Sequence, residues 1–210
     1  MKALYTSLIF LFLLTTAQAQ ENSEPRFFLG VGATQLQFGG DFNGAAFVGG
    51  AGSLEILPNL EETRGIKFIA GIQGRSVSMM ISFMRSKQNA TWLGAEFPST
   101  FSSYNLDAHI FIFNQLFIKP LVAFGIAYNT VTVEGGSSDG VSVDDATFKG
   151  FILRGGAGIE ITLHEQIAID LLAMFRYGSY HSVDGIVSGK IDDDIHSDGF
   201  TGSVEVKFLF

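Results

Sequence analysis

From Val204 to the end of the chain, large apolar residues fall on every second position: Val204, Val206, Phe208 and Phe210, with Glu205 and Lys207 among the residues between them. Successive side chains of a strand point to opposite faces, so this run predicts one wholly apolar face and one mostly polar face. The same alternation recurs upstream. Over residues 26–38, Phe27, Leu29, Val31 and Ala33 oppose Phe28, Gly30, Gly32 and Thr34. Ile66, Phe68, Ala70 and Ile72 share one parity, whereas Val77, Met79, Ile81 and Phe83 share the other. A one-residue phase change sends every side chain to the opposite face. The two runs are therefore read as a hairpin, 65–73 and 76–86, turning at Gly74-Arg75.

Further alternating runs cover 101–113, 116–133, 149–163 and 167–178. Short turns are expected at 74–75, 114–115 and 164–166, and long loops at 39–64, 87–100, 134–147 and 179–197. Residues 45–57 are open to two readings: part of the first long loop, or a strand, in which case 65–86 would be one bulged strand. About eight strands joined by alternately short and long connections predict an all-β fold. It is an eight-stranded antiparallel up-and-down transmembrane β-barrel, with both termini on the periplasmic side beside the short turns. Tyr104, Tyr128 and Tyr177 fall on the apolar face toward the long-loop end; Phe27, Phe208 and Phe210 fall toward the other. Two such aromatic girdles match the two interfaces of a bilayer.

Composition strengthens the membrane reading. The chain has 210 residues, 47% of them hydrophobic, and a mean hydropathy of +0.30. Past the first 20 residues no apolar run is long enough for a spanning helix. Only helices and closed barrels satisfy every backbone polar group in hydrocarbon, which leaves spanning strands. Residues 1–20 read as a secretory signal: Lys2, then the apolar Leu8 to Leu14, then Ala17-Gln18-Ala19 as the cleavage pattern. The expected division is a signal peptide over 1–19 and a barrel domain over 20–210. Cysteine is absent, which excludes disulfides, thiolate metal sites and an acylated cysteine anchor. A net charge of −8 with no basic cluster argues against a nucleic-acid partner.

With these features, the mature chain resembles the small bacterial outer-membrane β-barrels typified by the OmpA barrel domain, OmpX and OmpW. The signal peptide, the terminal Val-x-Val-x-Phe-x-Phe and the segment from Ile118 to Tyr128 carry the resemblance. It implies residence in the outer membrane, contact with outer-membrane lipids and lipopolysaccharide, and delivery by periplasmic chaperones to the barrel-assembly machinery. By the same resemblance, Val204, Val206, Phe208 and Phe210 would form the assembly signal.

The polar faces collect Lys67, Asp107, His109, Lys119, Arg154, Glu160, Asp170, Arg176, Glu205 and Lys207. Enclosed in a narrow barrel, such groups are expected to pair as a lumen charge network, with Phe111, Phe113, Leu172 and Met174 adding bulk. The function expected is a structural anchor displaying surface loops to an unidentified ligand; the alternative is a narrow pore for small or apolar solutes. A lipid-modifying enzyme would need a His and Ser at the outer mouth, and His181-Ser182 and His196-Ser197 are merely adjacent pairs without triad spacing. No catalytic, cofactor or metal set is assigned. In the acidic loop from Lys190 to Gly199, the spacing from Asp194 to His196, Asp198, Gly199 and Glu205 copies an EF-hand only superficially, because strand and loop flank it instead of helices.

Overall fold

A computed structural model describes residues 24–48, 54–60, 62–113, 116–138, 140–185 and 195–210. The expected signal peptide, the turn at 114–115 and the acidic residues 190–194 lie outside them. Among these described residues twelve strands follow in chain order: β1 (Arg26–Gln37), β2 (Ala46–Val48), β3 (Leu54–Ile56), β4 (Glu62–Gln73), β5 (Val77–Trp92), β6 (Ala95–Phe111), β7 (Ile118–Val133), β8 (Gly136–Ser138), β9 (Val141–Val143), β10 (Ala146–His164), β11 (Ile167–Gly185) and β12 (Ile195–Leu209). Eight of them close an antiparallel barrel in the order β1-β12-β11-β10-β7-β6-β5-β4. The last strand pairs with both β11 and β1, leaving no free edge.

The outward residues of the barrel wall form a band of apolar side chains. Phe27, Leu29, Phe68, Ile81, Leu106, Ile126, Leu153, Leu171 and Val204 are all exposed on it. No helix of the described residues is long and apolar enough to cross a membrane; the band belongs to strands. One edge of the band is aromatic. Phe83, Tyr104, Tyr128 and Phe151 are register neighbours across β5, β6, β7 and β10. Ring centroids are 4.9 Å apart for Phe83–Tyr104 and 5.1 Å for Tyr128–Phe151.

Beyond that edge the strands continue, and the apolar parity changes face. On β6, Tyr104 and Leu106 point outward, but further along Phe101, Phe97 and Ala95 are buried inside while Glu96 and Pro98 face out. The same inversion occurs on β5 at Ala90 and Trp92, on β7 at Val131 and Val133, and on β10 at Phe148 and Ala146. Below the edge the outside must match hydrocarbon; above it the outside must match water, so the apolar side chains turn inward.

The inversion corrects several sequence expectations. Residues 87–100 are not a loop: β5 and β6 run through them to a two-residue turn at Leu93-Gly94, with φ of 53° and 85°. Positive φ at both central residues is the geometry that matches strand twist in a tight hairpin. The loop placed at 134–147 contains the β8–β9 hairpin and ends where β10 begins at Ala146, and β11 reaches Gly185 where 179–197 had been read as loop. Residues 45–57 are neither a barrel strand nor wholly irregular, since β2 and β3 pair as a small separate sheet. Phe113 is 60% exposed and adds nothing to the interior, because the inward alternation of β6 ends at Phe111.

Candidate functional site

The barrel wall places a charged layer inside. Glu160, Asp170 and Glu205 are direct neighbours on β10, β11 and β12. Three carboxylates side by side repel one another. Lys207, one inward position nearer the short-turn end, answers two of them: it bonds Glu160 and lies 2.9 Å from Asp170. Lys119, beside Glu160 on β7, reaches it at 2.9 Å. Glu205 takes Lys67 at 2.7 Å, and it does so across a glycine: Gly32 on β1 pairs with Glu205 on one side and Lys67 on the other. A Cβ at Gly32 would stand 2.9 Å from the Glu205 Cγ, so the bridge depends on its absence. Gly125 repeats the device. It separates Asp107 from Arg154, whose Nη1 lies 3.2 Å from Oδ2, and a Cβ there would stand 2.2 Å from the other carboxylate oxygen.

Neutral side chains complete the layer. Gln73 donates to Glu160 at 3.0 Å and accepts from Lys207 at 3.1 Å. Asn105 accepts from Arg154 and donates to the Ser82 hydroxyl at 3.1 Å. Sequence reasoning missed both; their inward parity was the available signal. His109 Nδ1 lies 3.6 Å from Asp170, the looser member of the set. Arg176 is inside but stands apart: it stacks between Phe38 and Phe101, 5.8 and 5.6 Å from their centroids, with no carboxylate bridge among the described residues.

Above the charges an apolar cap closes the mouth. The segment after β1 turns inward through a 3-10 turn (Gly40–Phe42), and Phe42 crosses to the far wall to meet Phe148 at 5.5 Å and Tyr180 at 4.9 Å. Leu57 and Leu60 join the same buried cluster. The segment is tied at both ends: Asp41 accepts from the His196 amide at 2.8 Å, the backbones of Asn59 and Thr91 exchange two hydrogen bonds, and the Trp92 indole donates to the Ile56 carbonyl at 2.7 Å. At the short-turn end Phe28, Ile69, Met80, Ala168 and Leu209 form an apolar floor.

An interior so built, in a wall so banded, can now be set beside known proteins. Residues 6–208 match the family described as the outer membrane protein beta-barrel domain. The chain belongs to that family. It is accordingly an integral protein of the bacterial outer membrane. Among solved structures, Neisserial surface protein A (NspA) is similar at a TM-score of 0.59 and 13% identity, over 90% of this chain and 100% of that one. The outer membrane protein OprG of Pseudomonas aeruginosa gives 0.52 at 11% identity, over 91% and 98%. Ail, the attachment invasion locus protein of Yersinia pestis, solved with the heparin analogue sucrose octasulfate, gives 0.50 at 16%, over 90% and 100%. These likenesses are of fold. No curated protein matches the sequence.

On the outside of this outer-membrane barrel, Tyr104 and Tyr177 are exposed and Tyr128 is half-buried against Phe151. Phe27, Phe208 and Phe210 are exposed at the other end, where Phe113 and Phe117 join them. Val204 is exposed and Val206 half-buried on the same outer face. The adjacent His and Ser pairs do not converge. His196 is exposed outside while Ser197 is buried inside, as neighbours on a strand must be; His181 stacks flat on Phe151 at 5.6 Å. Glu205, the last position of the EF-hand-like spacing, is committed to Lys67 within the lumen.

Proposed function

We propose that this outer-membrane barrel is a sealed anchor that presents a raised rim and its loops to the exterior, and is neither a conduit nor an enzyme. The observation that carries this reading is the cap: Phe42 and its neighbours span the mouth above a layer of paired charges. Among the described residues, a hollow of ≈ 10 Å³ lies beneath the cap. Hollows of ≈ 770 and 840 Å³ open on the outer, apolar wall, where acyl chains would lie.

The long-loop end faces outward in this reading. From Tyr104 to Ala95 the wall rises nine residues past the aromatic edge, about 20 Å for a tilted strand. Such a rim suits contact with molecules outside the cell. Arg64, Arg85, Lys87 and Lys149 follow directly beyond the apolar band on their strands, the height of lipid headgroups. They suit the phosphates of outer-membrane lipids, lipopolysaccharide included. Delivery by periplasmic chaperones and insertion by the barrel-assembly machinery, with the terminal Phe208 and Phe210 as signal, rest on the family. The deciding measurement is conductance of the purified protein in planar bilayers. A sealed anchor gives no unitary steps; reproducible steps would refute it. Turnover of labelled phospholipid or lipid A that Ser182→Ala or Ser197→Ala abolishes would refute the non-enzymatic part.

A further inference from the structure

Between the charged layer and the cap lies the small cavity, and its lining is one-sided. Lys67, Arg154 and Arg176 line it, and no carboxylate does. The Asn105 amide and the hydroxyls of Thr34, Ser103, Thr201 and Ser203 supply the rest of its polar wall, with Ser103 donating to Asn105 and Ser203 to Glu205. Two of the cations have acids elsewhere: Lys67 on Glu205, and Arg154 on Asp107. Arg176 has none. Its residue is 3% exposed, the rings of Phe38 and Phe101 cover its faces, and both terminal nitrogens lack a hydrogen-bond partner. Tyr180 is an electrostatic neighbour without a hydrogen bond of ordinary geometry, and a neutral phenol cancels no charge. Arg154 Nε and the Thr34 hydroxyl are likewise unmatched and buried.

The charge balance points the same way. Among the described residues, and leaving the imidazole of His109 aside, the lumen holds the permanent cations Lys67, Lys119, Arg154, Arg176 and Lys207 against the carboxylates Asp107, Glu160, Asp170 and Glu205. The surplus is one cation, and Arg176 is the one left over. Guanidinium does not give up its proton in proteins, and an unpaired buried charge is among the costliest groups a fold can hold. The cavity offers ≈ 10 Å³ to the centre of a water-sized particle, about the room that one such particle takes. That is too little for a carboxylate or phosphate, whereas Met84 in the wall is an adaptable thioether that can yield to a single slightly larger sphere.

We propose that this cavity binds one monoatomic anion of the halide class, chloride under ordinary conditions, held by the edge of Arg176, by Arg154 Nε and by the Thr34 hydroxyl. The anion neutralises the lumen and ties Arg176 on β11 to Thr34 on β1 over the intervening strand β12. Neither the sealed nor the conducting reading of the barrel is needed for it.

The test uses the full barrel extracted in detergent. In crystals with sodium bromide in place of chloride, an anomalous bromine peak is expected in the lumen between Arg176 and Thr34. Bromine found only on the outer surface would overturn the proposal. In micelles, the thermal unfolding midpoint should rise by roughly 3–5 °C for each tenfold increase in chloride or bromide above half-saturation. Gluconate, too large to enter, should give no such rise at matched ionic strength. Arg176→Met removes the surplus charge and should abolish the halide dependence. Thr34→Val, which keeps charge and shape, should weaken it several-fold. The same response to halide and gluconate in the wild type would overturn the site, as would an undiminished halide response in both variants.

Discussion

Strand β6 passes through two surroundings, and its two halves are built oppositely. From Phe111 to Tyr104 it shows Leu106 and Tyr104 to the outside and Asp107 and His109 to the inside. From Phe101 to Ala95 it buries Phe101, Phe97 and Ala95 and turns Glu96 outward. The lower half is a membrane strand around a polar filling; the upper half is a strand of a water-soluble barrel around an apolar one. The backbone ladder is the same in both. What differs is the solvent outside, and the interior takes whichever residue class the exterior cannot.

The difference has an energetic consequence. The upper filling is non-directional, and its worth follows the apolar area removed from water. The lower filling is directional: Lys207 must sit between Glu160 and Asp170, or Asp170 loses its close cation and Glu160 keeps only Lys119. Such a layer adds little net stability over an apolar isostere but strongly penalises a slipped register.

Four substitutions probe the four environments. The largest effect is expected inside the lower half. Lys207→Met leaves Glu160 and Asp170 short of a cation and should cost about 3–5 kcal/mol in urea unfolding from micelles. Replacing Glu160 and Asp170 by leucine in the same protein should recover most of that loss; no recovery would mean the layer is held by something other than charge pairing.

Inside the upper half, Phe42→Ala should cost about 3–4 kcal/mol, but locally. Amide exchange at Asn59 and Thr91 should accelerate while that of the charged layer stays slow. If both accelerate together, cap and layer form one cooperative unit and the contrast between them fails.

Outside the lower half, Leu171→Arg faces hydrocarbon near mid-strand and should cost about 2–4 kcal/mol. Outside the upper half, Asn89→Arg, exposed and opposite Pro98, should change stability by no more than about 0.5 kcal/mol. Equal costs for these two, measured by the same urea titration, would erase the boundary that the aromatic row draws.

The sequence alone determined the closed barrel and the faces of its membrane half. Phe27, Leu29 and Val31, or Val204, Val206 and Phe208, contrast so sharply with their neighbours that lipid on one side and lumen on the other can be read without coordinates. That contrast fades past Phe83, where Arg85, Ser86, Lys87 and Gln88 alternate nothing hydrophobic, and a period-two signal cannot announce that its two faces have exchanged roles. The raised rim was therefore invisible, and Trp92 looked like a loop residue when it ends a barrel strand and its indole ties down the Ile56 carbonyl. Inward parity also named all ten lumen charges, because polarity on an enclosed face is a local property. Which charge meets which was decided only by the tertiary structure. The bridges of Lys67 to Glu205 and Asp107 to Arg154 span glycines on intervening strands, at sequence separations of 138 and 47 residues. Register and barrel closure set those pairs, and they set equally the cation, Arg176, that is left without an acid among the described residues.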